Sequence, residues 1–256
     1  MAKKLIFRYG AMGSGKSALL QQVAFNYEER GMNIILLKPS TDTKGDNKVV
    51  SRIGLERKVD FIVHKDTDIL KILGSTNAHC IIVDEAQFLT REQVEDLSFV
   101  ASICDIPVIC YGLRTDFMGN GFEGSSRLLE LADNIEEMKT ICSCGKKATM
   151  NARKINGEFT FSGEQVCIDN QEEVEYISLC PKCYYTERGL IEWYLKQSLI
   201  LEIPFILLKK HLFLMFVLCV VEQARLIHLL LESNMKLDAQ NVKDKVELKQ
   251  QTSQYG

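Results

Sequence analysis

The sequence predicts an α/β protein with a mostly parallel sheet flanked by helices, followed by a small β-rich module. Five short apolar runs alternate with amphipathic stretches along the first 135 residues. A glycine-rich segment directly follows the first run, and two close cysteine pairs stand further along the chain. Alternating strands and crossover helices form a three-layer domain, which binds its ligands at the carboxyl ends of the strands.

The predicted strands are the five apolar runs, which have the length and composition of strands buried in a parallel sheet. They are Lys4–Tyr9, Asn33–Lys38, Asp60–His64, His79–Val83 and Pro107–Tyr111. Between the first two runs, apolar residues repeat at helical spacing over residues 18–24, and Gly31 follows as a stop signal. After the fourth run, Thr90 and Gln93 have the spacing of a capping box, which predicts another helix.

Three parts of the chain differ in composition. Residues 1–139 are predicted to form the nucleotide-binding core. Residues 140–194 contain two cysteine pairs and short runs such as Glu158–Phe161 and Gln165–Ile168, which predict a small β-rich module held by something other than a large core. Residues 195–256 form an atypical tail, first apolar and then polar, whose function the sequence does not indicate.

The apolar part of the tail, Leu199–Val221, is about as long as the roughly 20 residues that span a bilayer. It is interrupted by Glu202, Lys209, Lys210 and His211. Each central charge costs about 2.5–3.5 kcal/mol on insertion, and the uninterrupted run Leu212–Val221 is too short to span. We expect a buried or partner-binding helix rather than a membrane span, and a tail without an evolved function is a further alternative.

The overall charge gives no reason to expect a nucleic-acid or membrane partner. Thirty-one Lys and Arg residues face 34 Asp and Glu residues, a formal net charge of −3, so no global field attracts polyanions. Nine cysteines among 256 residues are too few for a disulfide scaffold. The N-terminal residues lack the apolar core of a signal peptide. We therefore expect a cytoplasmic protein with reduced cysteines.

The segment GAMGSGKS, directly after the first predicted strand, matches the phosphate-binding pattern GxxxxGK[ST]. Its residues are Gly10, Ala11, Met12, Gly13, Ser14, Gly15, Lys16 and Ser17. The glycines let backbone N–H groups surround phosphate oxygens at a helix N-terminus. Lys16 can reach the β- and γ-phosphates, and Ser17 can ligate Mg²⁺. The motif predicts a P-loop core of RecA-like type that binds ATP and Mg²⁺; a chance glycine-rich turn is the alternative.

Two adjacent carboxylates end the fourth predicted strand, in the segment DEAQF at residues 84–88. In a P-loop protein, an acid in the position of Asp84 is placed to hold Mg²⁺ opposite the loop. Glu85 is placed to accept a proton from a nucleophile that attacks the γ-phosphate. Two carboxylates at a buried strand end are costly without a cation or a donor, so a merely solvated strand end is the weaker interpretation.

Two cysteine pairs have the spacing of a structural zinc site. Cys142 and Cys144 form the first pair and Cys180 and Cys183 the second, which gives four thiolates in two knuckles. A reducing compartment argues against disulfides, and no further ligand indicates an open catalytic position. Incidental free thiols are the alternative.

Taken together, the motifs resemble the thymidine kinases of the cellular, tetrameric, zinc-containing type (type II), in which a P-loop core carries a zinc-held lasso loop over the nucleoside. The resemblance covers about residues 1–194 and rests on motifs that follow one another in the family's order. They are GAMGSGKS at 10–17, SRIGL at 51–55, DEAQF at 84–88, YGLRTDF at 111–117, CSCGKKATM at 142–150 and YISLCPKC at 176–183.

The resemblance implies roles for individual residues. The phosphate loop with Asp84 and Gln87 corresponds to the ATP and Mg²⁺ positions, and Glu85 to the general base that takes the proton of the 5′-hydroxyl. The walls of the thymine pocket correspond to Phe88, Leu113, Phe117, Phe122 and Tyr176. Plain core packing is the alternative for these aromatic residues, and for Phe122 taken alone it is the preferred one.

The sequence departs from the family's pattern at several points. Residues 168–176 are about two residues longer than expected and lack two usual glycines. Ala11 and Gly13 stand where the family often has proline and a bulkier residue, and Lys44 stands where arginine is usual, which loses bidentate reach to phosphate. The resemblance also gives no explanation for the tail.

The expected activity is therefore ATP-dependent phosphorylation of thymidine at its 5′-hydroxyl, which gives dTMP and ADP. The resemblance further implies a homotetramer, with no nucleic acid as partner. The alternative is a P-loop ATPase whose zinc module binds nucleic acid. Its support is a small basic cluster, which nearby glutamates offset: Lys146, Lys147, Arg153 and Lys154 against Glu172, Glu173 and Glu175.

Overall fold

A computed structural model of the chain describes residues 4–42, 47–165 and 173–191. The predicted tail with its apolar segment, Lys44, and residues 168–172 of the lengthened loop lie outside the described residues. In the described part, no helix has both the length and the apolarity needed to cross a bilayer.

Strands and helices are interspersed among the described elements until residue 137, and strands predominate afterwards. The strands are β1 (Leu5–Tyr9), β2 (Ile34–Pro39), β3 (Lys48–Val50), β4 (Glu56–Lys58), β5 (Phe61–Val63), β6 (Cys80–Val83), β7 (Val108–Gly112), β8 (Asn134–Glu137), β9 (Thr140–Ile141), β10 (Lys147–Ala148), β11 (Met150–Ile155), β12 (Glu158–Thr160) and β13 (Val174–Leu179). The helices are α1 (Lys16–Glu28), α2 (Ile69–Gly74), α3 (Arg91–Ile103), α4 (Glu123–Leu131) and α5 (Pro181–Glu187).

The central sheet has six strands in the order β5-β2-β6-β7-β1-β8, and all of its pairings are parallel. The five predicted strands are present, each with bounds within one residue of the prediction. The middle strands β6 and β7 are buried at every residue, which explains their continuous apolar sequences. The α/β fold with a mostly parallel sheet is therefore confirmed.

Strand β8 was not predicted from the sequence. It lies at the edge of the sheet beside β1, and none of its four residues is fully buried. A strand so exposed needs no continuous apolar run, and Asn134–Glu137 contains one aliphatic residue, Ile135. The side chain of Asp133 fixes the start of the strand by accepting a hydrogen bond of 2.8 Å from the N–H of Leu5.

Apolar side chains form a core layer on each face of the sheet. Helix α1 packs on one face through Leu20 and Ala24, while α2, α3 and α4 pack on the other. Helix α1 ends before Gly31, which has φ 71° and donates its N–H to the oxygen of Glu28. The predicted capping box of Thr90 and Gln93 is present at the start of α3.

Strands β3 and β4 form an antiparallel hairpin that lies beside α1 and whose turn is residues 51–55. Val49 of the hairpin is buried in the same core layer as α1. The buried side chain of Gln21 donates hydrogen bonds to the oxygens of Val49 and Leu55, at 3.4 and 3.1 Å. These bonds attach the turn to the helix that follows the phosphate loop.

The described residues between 140 and 187 form the predicted β-rich module, here called the zinc module after the metal that the sequence predicts for it. It contains the pair β9–β10 and a three-stranded antiparallel sheet in the order β12-β11-β13. The run Glu158–Phe161 corresponds to β12, whereas Gln165 lies outside a strand and the rest of the run Gln165–Ile168 falls outside the described residues. Helix α5 was not predicted. The proposed domain boundaries at residues 139 and 194 stay a prediction.

Candidate active site

The phosphate loop connects β1 to α1 and is shaped by its glycines. Gly13 and Gly15 have φ values of 75° and 81°, in the left-handed region that favours glycine. A Cβ on Gly10 would lie 2.4 Å from the oxygen of Met138, so a side chain does not fit there. The loop therefore leaves backbone N–H groups of its second half at the N-terminus of α1, where an anion binds favourably.

Lys16 is the first residue of α1, at the end of this loop, and its side chain is almost completely buried. Its Nζ donates hydrogen bonds to the oxygens of Gly10 and Ala11, at 3.0 and 3.1 Å. Burial lowers the pKa of Lys16 from its ordinary value, and the charges of Glu85 and Asp84 counteract that decrease. The ammonium group is thus held inside the loop, between its backbone and two carboxylates.

Asp84 and Glu85 follow β6 at the carboxyl edge of the sheet. Asp84 is 4% exposed, and among the described residues its Oδ1 has no hydrogen-bond partner. Burial raises the pKa of Asp84, and the neighbouring Glu85 carboxylate raises it further. An unpartnered buried carboxylate oxygen facing this environment fits the coordination of a divalent cation, which would supply the missing positive charge.

Glu85 has the strained left-handed backbone conformation, with φ 48° and ψ 40°. Non-glycine residues in this region often occur at functional sites, where the surrounding structure enforces them. The Glu85 carboxylate accepts a hydrogen bond of 2.6 Å from Nε2 of Gln87. The Oε1 of Gln87 accepts one of 3.0 Å from the N–H of Leu113. Buried Gln87 thus fixes Glu85 to the end of β7.

A cavity of about 680 Å³ opens at the carboxyl ends of the strands, where the fold class predicts ligand binding. Its walls bring together residues 12–17 of the phosphate loop, Glu85 and Gln87. All five residues expected around the base also line it: Phe88, Leu113, Phe117, Phe122 and Tyr176. Gly10, Ala11 and Asp84 lie behind this wall and do not line the cavity. One cavity therefore joins a phosphate-binding end to an aromatic end.

The aromatic end is built by packed rings and a buried arginine. Phe88 and Phe122 meet edge to face, with their ring centroids 5.5 Å apart. The guanidinium of Arg153 stacks 3.7 Å from the ring centroid of Phe117. The same guanidinium donates hydrogen bonds to the oxygens of Ser162 and Glu164, at 2.8 and 3.0 Å. Arg153 therefore fixes the segment before residue 166 to the aromatic wall.

The zinc module contacts the phosphate loop directly. Buried Asn151 accepts a hydrogen bond of 2.9 Å from the N–H of Met12 and donates one of 3.0 Å to the oxygen of Thr115. The hydroxyl of Ser178 donates to the oxygen of Met12. These contacts of β11 and β13 join the module to the loop, so both ends of the cavity share one framework.

Cys142, Cys144, Cys180 and Cys183 form one cluster, in which the Sγ atoms all lie within 4.8 Å of one another. The Sγ atoms of Cys144 and Cys180 are 3.6 Å apart, far beyond the roughly 2.05 Å of a disulfide. Four ligands at Zn–S distances of about 2.3 Å place sulfurs at about this separation in a tetrahedron. Backbone N–H groups of Cys144 and Cys180 lower the pKa of the Cys142 thiol, which favours the thiolate. The cluster could bind zinc.

Several polar residues that line the cavity have no site role predicted from the sequence, and four of them are Arg52, Asp116, Asp42 and Asn151. Arg52 and Asp116 lie inside the motifs SRIGL and YGLRTDF, but no local pattern assigned them a role. Asp42 and Asn151 reach the cavity through the tertiary fold, and neither stands in a pattern that marks a site. The motif membership of Arg52 and Asp116 is the one signal that could have indicated them.

The fold and the cavity define a P-loop nucleotide-binding protein of the kinase class, with an acceptor pocket beside the phosphate loop. The family model described as thymidine kinase matches residues 3–184. The chain belongs to the thymidine kinase family.

Several similar proteins are named thymidine kinases, which supports this family membership. The thymidine kinase of Vibrio cholerae is 46% identical over 192 residues, which cover 73% of this chain and 98% of that protein. The thymidine kinase of Rhodopirellula baltica is 49% identical over 68% of this chain and 85% of its own length. The thymidine kinase of Enterobacteria phage T4 is 47% identical over 70% of this chain and 93% of its own length. Among solved structures, the X-ray structure of the Legionella pneumophila ATPase DotB matches 57% of this chain and 44% of its own chain, with 15% sequence identity. Its TM-score of 0.33 is too low to support an argument.

The nucleic-acid alternative is not favoured, because its basic cluster does not form a free surface. Arg153 is 3% exposed and stacks on Phe117. Lys154 lies 4.6 Å from the ring centroid of Phe159, and Lys147 pairs with Glu137. Three of the four cations thus have partners within the protein.

Proposed function

We propose that this protein transfers the γ-phosphoryl group of ATP to the 5′-hydroxyl of thymidine, giving dTMP and ADP. The observation that carries the proposal is that Lys16 of the phosphate loop, Glu85 and the aromatic residues all line one cavity. A carboxylate in a cavity that also holds a phosphate site and an apolar pocket suits phosphoryl transfer to a nucleoside. Membership of the thymidine kinase family supports the same reaction.

At the phosphate end, backbone N–H groups of residues 13–17 and the ammonium of Lys16 bind the β- and γ-phosphates. Ser17 and Asp84 would hold Mg²⁺, and the unpartnered Oδ1 of Asp84 supports this assignment. When bound, the metal neutralises charge on the phosphates. The resemblance places Gln87 among the ATP positions, whereas in this proposal Gln87 acts by fixing Glu85.

Glu85 acts as the general base. Its carboxylate takes the proton from the 5′-hydroxyl as O5′ bonds to the γ-phosphorus, and the bond from that phosphorus to the bridging β,γ-oxygen breaks to release ADP. The hydrogen bond from Gln87 and the enforced backbone of Glu85 keep the carboxylate at the carboxyl end of β6. This positioning reduces the loss of entropy that aligning the base with the acceptor hydroxyl would otherwise cost the reaction.

The aromatic end binds the thymine base. Rings of Phe88, Phe117 and Phe122 supply flat apolar surface, and Tyr176 lines the wall contributed by β13. The four cysteines hold a structural zinc ion that keeps β13 and the neighbouring turns in place. We also propose a homotetramer in the cytoplasm, which follows from the resemblance to the type II family.

The replacement Glu85→Gln tests the role of the base. It preserves size and the contact with Gln87 but cannot accept the proton. We expect kcat for thymidine to fall by about 10²–10⁴-fold, while ATP affinity stays close to that of the unmodified protein. Steady-state kinetics and equilibrium ATP binding measure both effects. Glu92→Gln, at the exposed start of α3, is the matched control and should retain full turnover. Undiminished turnover in Glu85→Gln would refute the assignment.

A further inference from the structure

Arg52 is an exposed cation on the wall of the cavity that the reaction described above does not use. It lies in the turn of the β3–β4 hairpin, opposite the phosphate loop. Its Nη1 is 3.1 Å from the position that a Cβ on Gly13 would take. The guanidinium makes no hydrogen bond or ion pair with another of the described residues. It therefore stands close to the loop backbone, and its donors have no partner in the part of the chain that the structure describes.

The position of Arg52 is fixed by its hairpin. The N–H of Ser51 donates to the oxygen of Leu55 at 2.8 Å, and the N–H of Leu55 donates to the Ser51 hydroxyl at 3.0 Å. Gly54, with φ 84°, supplies the left-handed residue that the turn needs. Gln21 then ties the oxygen of Leu55 to α1. The turn is thus attached to the helix that begins at Lys16.

The charges around the loop indicate what Arg52 faces. Arg52 and Lys16 both line the cavity, and the guanidinium of Arg52 reaches the backbone of Gly13 in the same loop as Lys16. Two cations on one cavity wall repel each other, and an anion bound between them removes that repulsion. The loop already presents N–H groups to phosphate oxygens, so the group that both cations can share is a phosphate.

We propose that Arg52 contacts the terminal phosphate of the nucleoside triphosphate and stabilises the charge on the phosphoryl group during transfer. This inference rests on the proposed function, because it assigns the phosphate loop to the donor. A guanidinium suits the role, since its planar donors can bind two phosphate oxygens at once. Donors aimed at developing charge in an enclosed site contribute strongly to catalysis.

Replacement of Arg52 by Gln and by Lys tests the inference. We expect Arg52→Gln to lower kcat for thymidine by about 10²–10³-fold, as loss of one donor to transition-state charge does elsewhere. Affinity for a nonhydrolysable ATP analogue should fall, while affinity for ADP, which lacks the terminal phosphate, should stay unchanged. Arg52→Lys keeps the positive charge but loses the planar arrangement of donors, so its kcat should lie between those of the unmodified protein and Arg52→Gln.

Arg57→Gln is the matched control on the same hairpin. Arg57 pairs with Glu28 at 2.5 Å and does not line the cavity, so this variant should keep wild-type turnover. Thermal unfolding and zinc content of all variants verify folding. Wild-type kcat in Arg52→Gln, or an equal loss of ADP and ATP-analogue affinity, would overturn the inference. Failure of the unmodified protein to phosphorylate thymidine would instead overturn the proposed function, and the two nucleotide affinities would still test Arg52.

Discussion

The parallel-sheet core and the zinc module differ in what holds them together. Among the described residues, buried apolar side chains form clusters of 17 and ten on the two faces of the core sheet. The module's own cluster has six, two of which are the cysteines Cys142 and Cys180. Apolar burial stabilises a domain roughly in proportion to the area removed from water. We therefore expect the core to fold on packing alone and the module to depend on coordination by its cysteines.

The two regions contribute unequally to the cavity. The core carries the phosphate loop, Glu85, Gln87 and most of the aromatic wall, whereas the module closes that wall with Tyr176 and contacts the loop through Asn151. Buried Tyr184 of α5 adds a link, since its hydroxyl donates to the oxygen of Phe117 at 2.8 Å. We therefore expect damage to the module to affect the nucleoside first, and damage to the core to affect the whole protein.

The largest effect should follow loss of a zinc ligand in Cys180→Ser. Structural zinc contributes about 10–16 kcal/mol to the folding of small zinc domains, far more than the module's apolar cluster can replace. We expect zinc content and thymidine binding to be lost, with ADP affinity retained within a few fold. Metal analysis and calorimetric titration measure these quantities.

Cys104→Ser, at an exposed cysteine outside the cluster, is the control for that experiment and should retain zinc. If zinc-free Cys180→Ser bound thymidine with full affinity, the module would not depend on metal coordination, and the proposed difference between the two regions would be wrong.

A core cavity tests the opposite side of the comparison. Leu97 of α3 is completely buried against the sheet, so Leu97→Ala should lower the free energy of unfolding by about 2–5 kcal/mol. Zinc content and the KM for thymidine of the folded protein should not change. Denaturant unfolding measures the first effect. Phe99→Ala, on the exposed side of the same helix, should have a much smaller effect on stability. Loss of zinc from folded Leu97→Ala would contradict the independence of the module.

The contact between the two regions should give the smallest effect. Asn151→Ala removes the hydrogen bonds to the N–H of Met12 and to the oxygen of Thr115. Both bonds are only partly buried, so water can replace them in part, and we expect a total cost of about 1–3 kcal/mol. We expect weaker binding of both ATP and thymidine, because one side chain supports both ends of the cavity. Equilibrium binding measures this, with Asn77→Ala as a control on the exposed surface. A change confined to one ligand would show that the ends are not coupled.

The sequence predicted the core better than the rest because its signals there are local. Five strands form continuous apolar runs, and the phosphate loop needs particular residues in a fixed order. Edge strand β8 and helix α5 have no such signal, since β8 is half exposed and α5 is short. Glu85 could be recognised beside Asp84 at a strand end. The hydrogen bonds that link Glu85 to Leu113 through Gln87 form only in the folded chain, so the sequence did not indicate them. The same holds for the roles of Asn151 and Arg52.

The central claim is that the cavity joins a nucleotide phosphate site to a nucleoside site for phosphoryl transfer. The most direct test incubates the full chain with γ-labelled ATP and thymidine and separates the products by chromatography. We predict label in thymidine 5′-monophosphate, formed only when thymidine is present. Labelled inorganic phosphate alone, released faster with DNA and unaffected by thymidine, would contradict the claim.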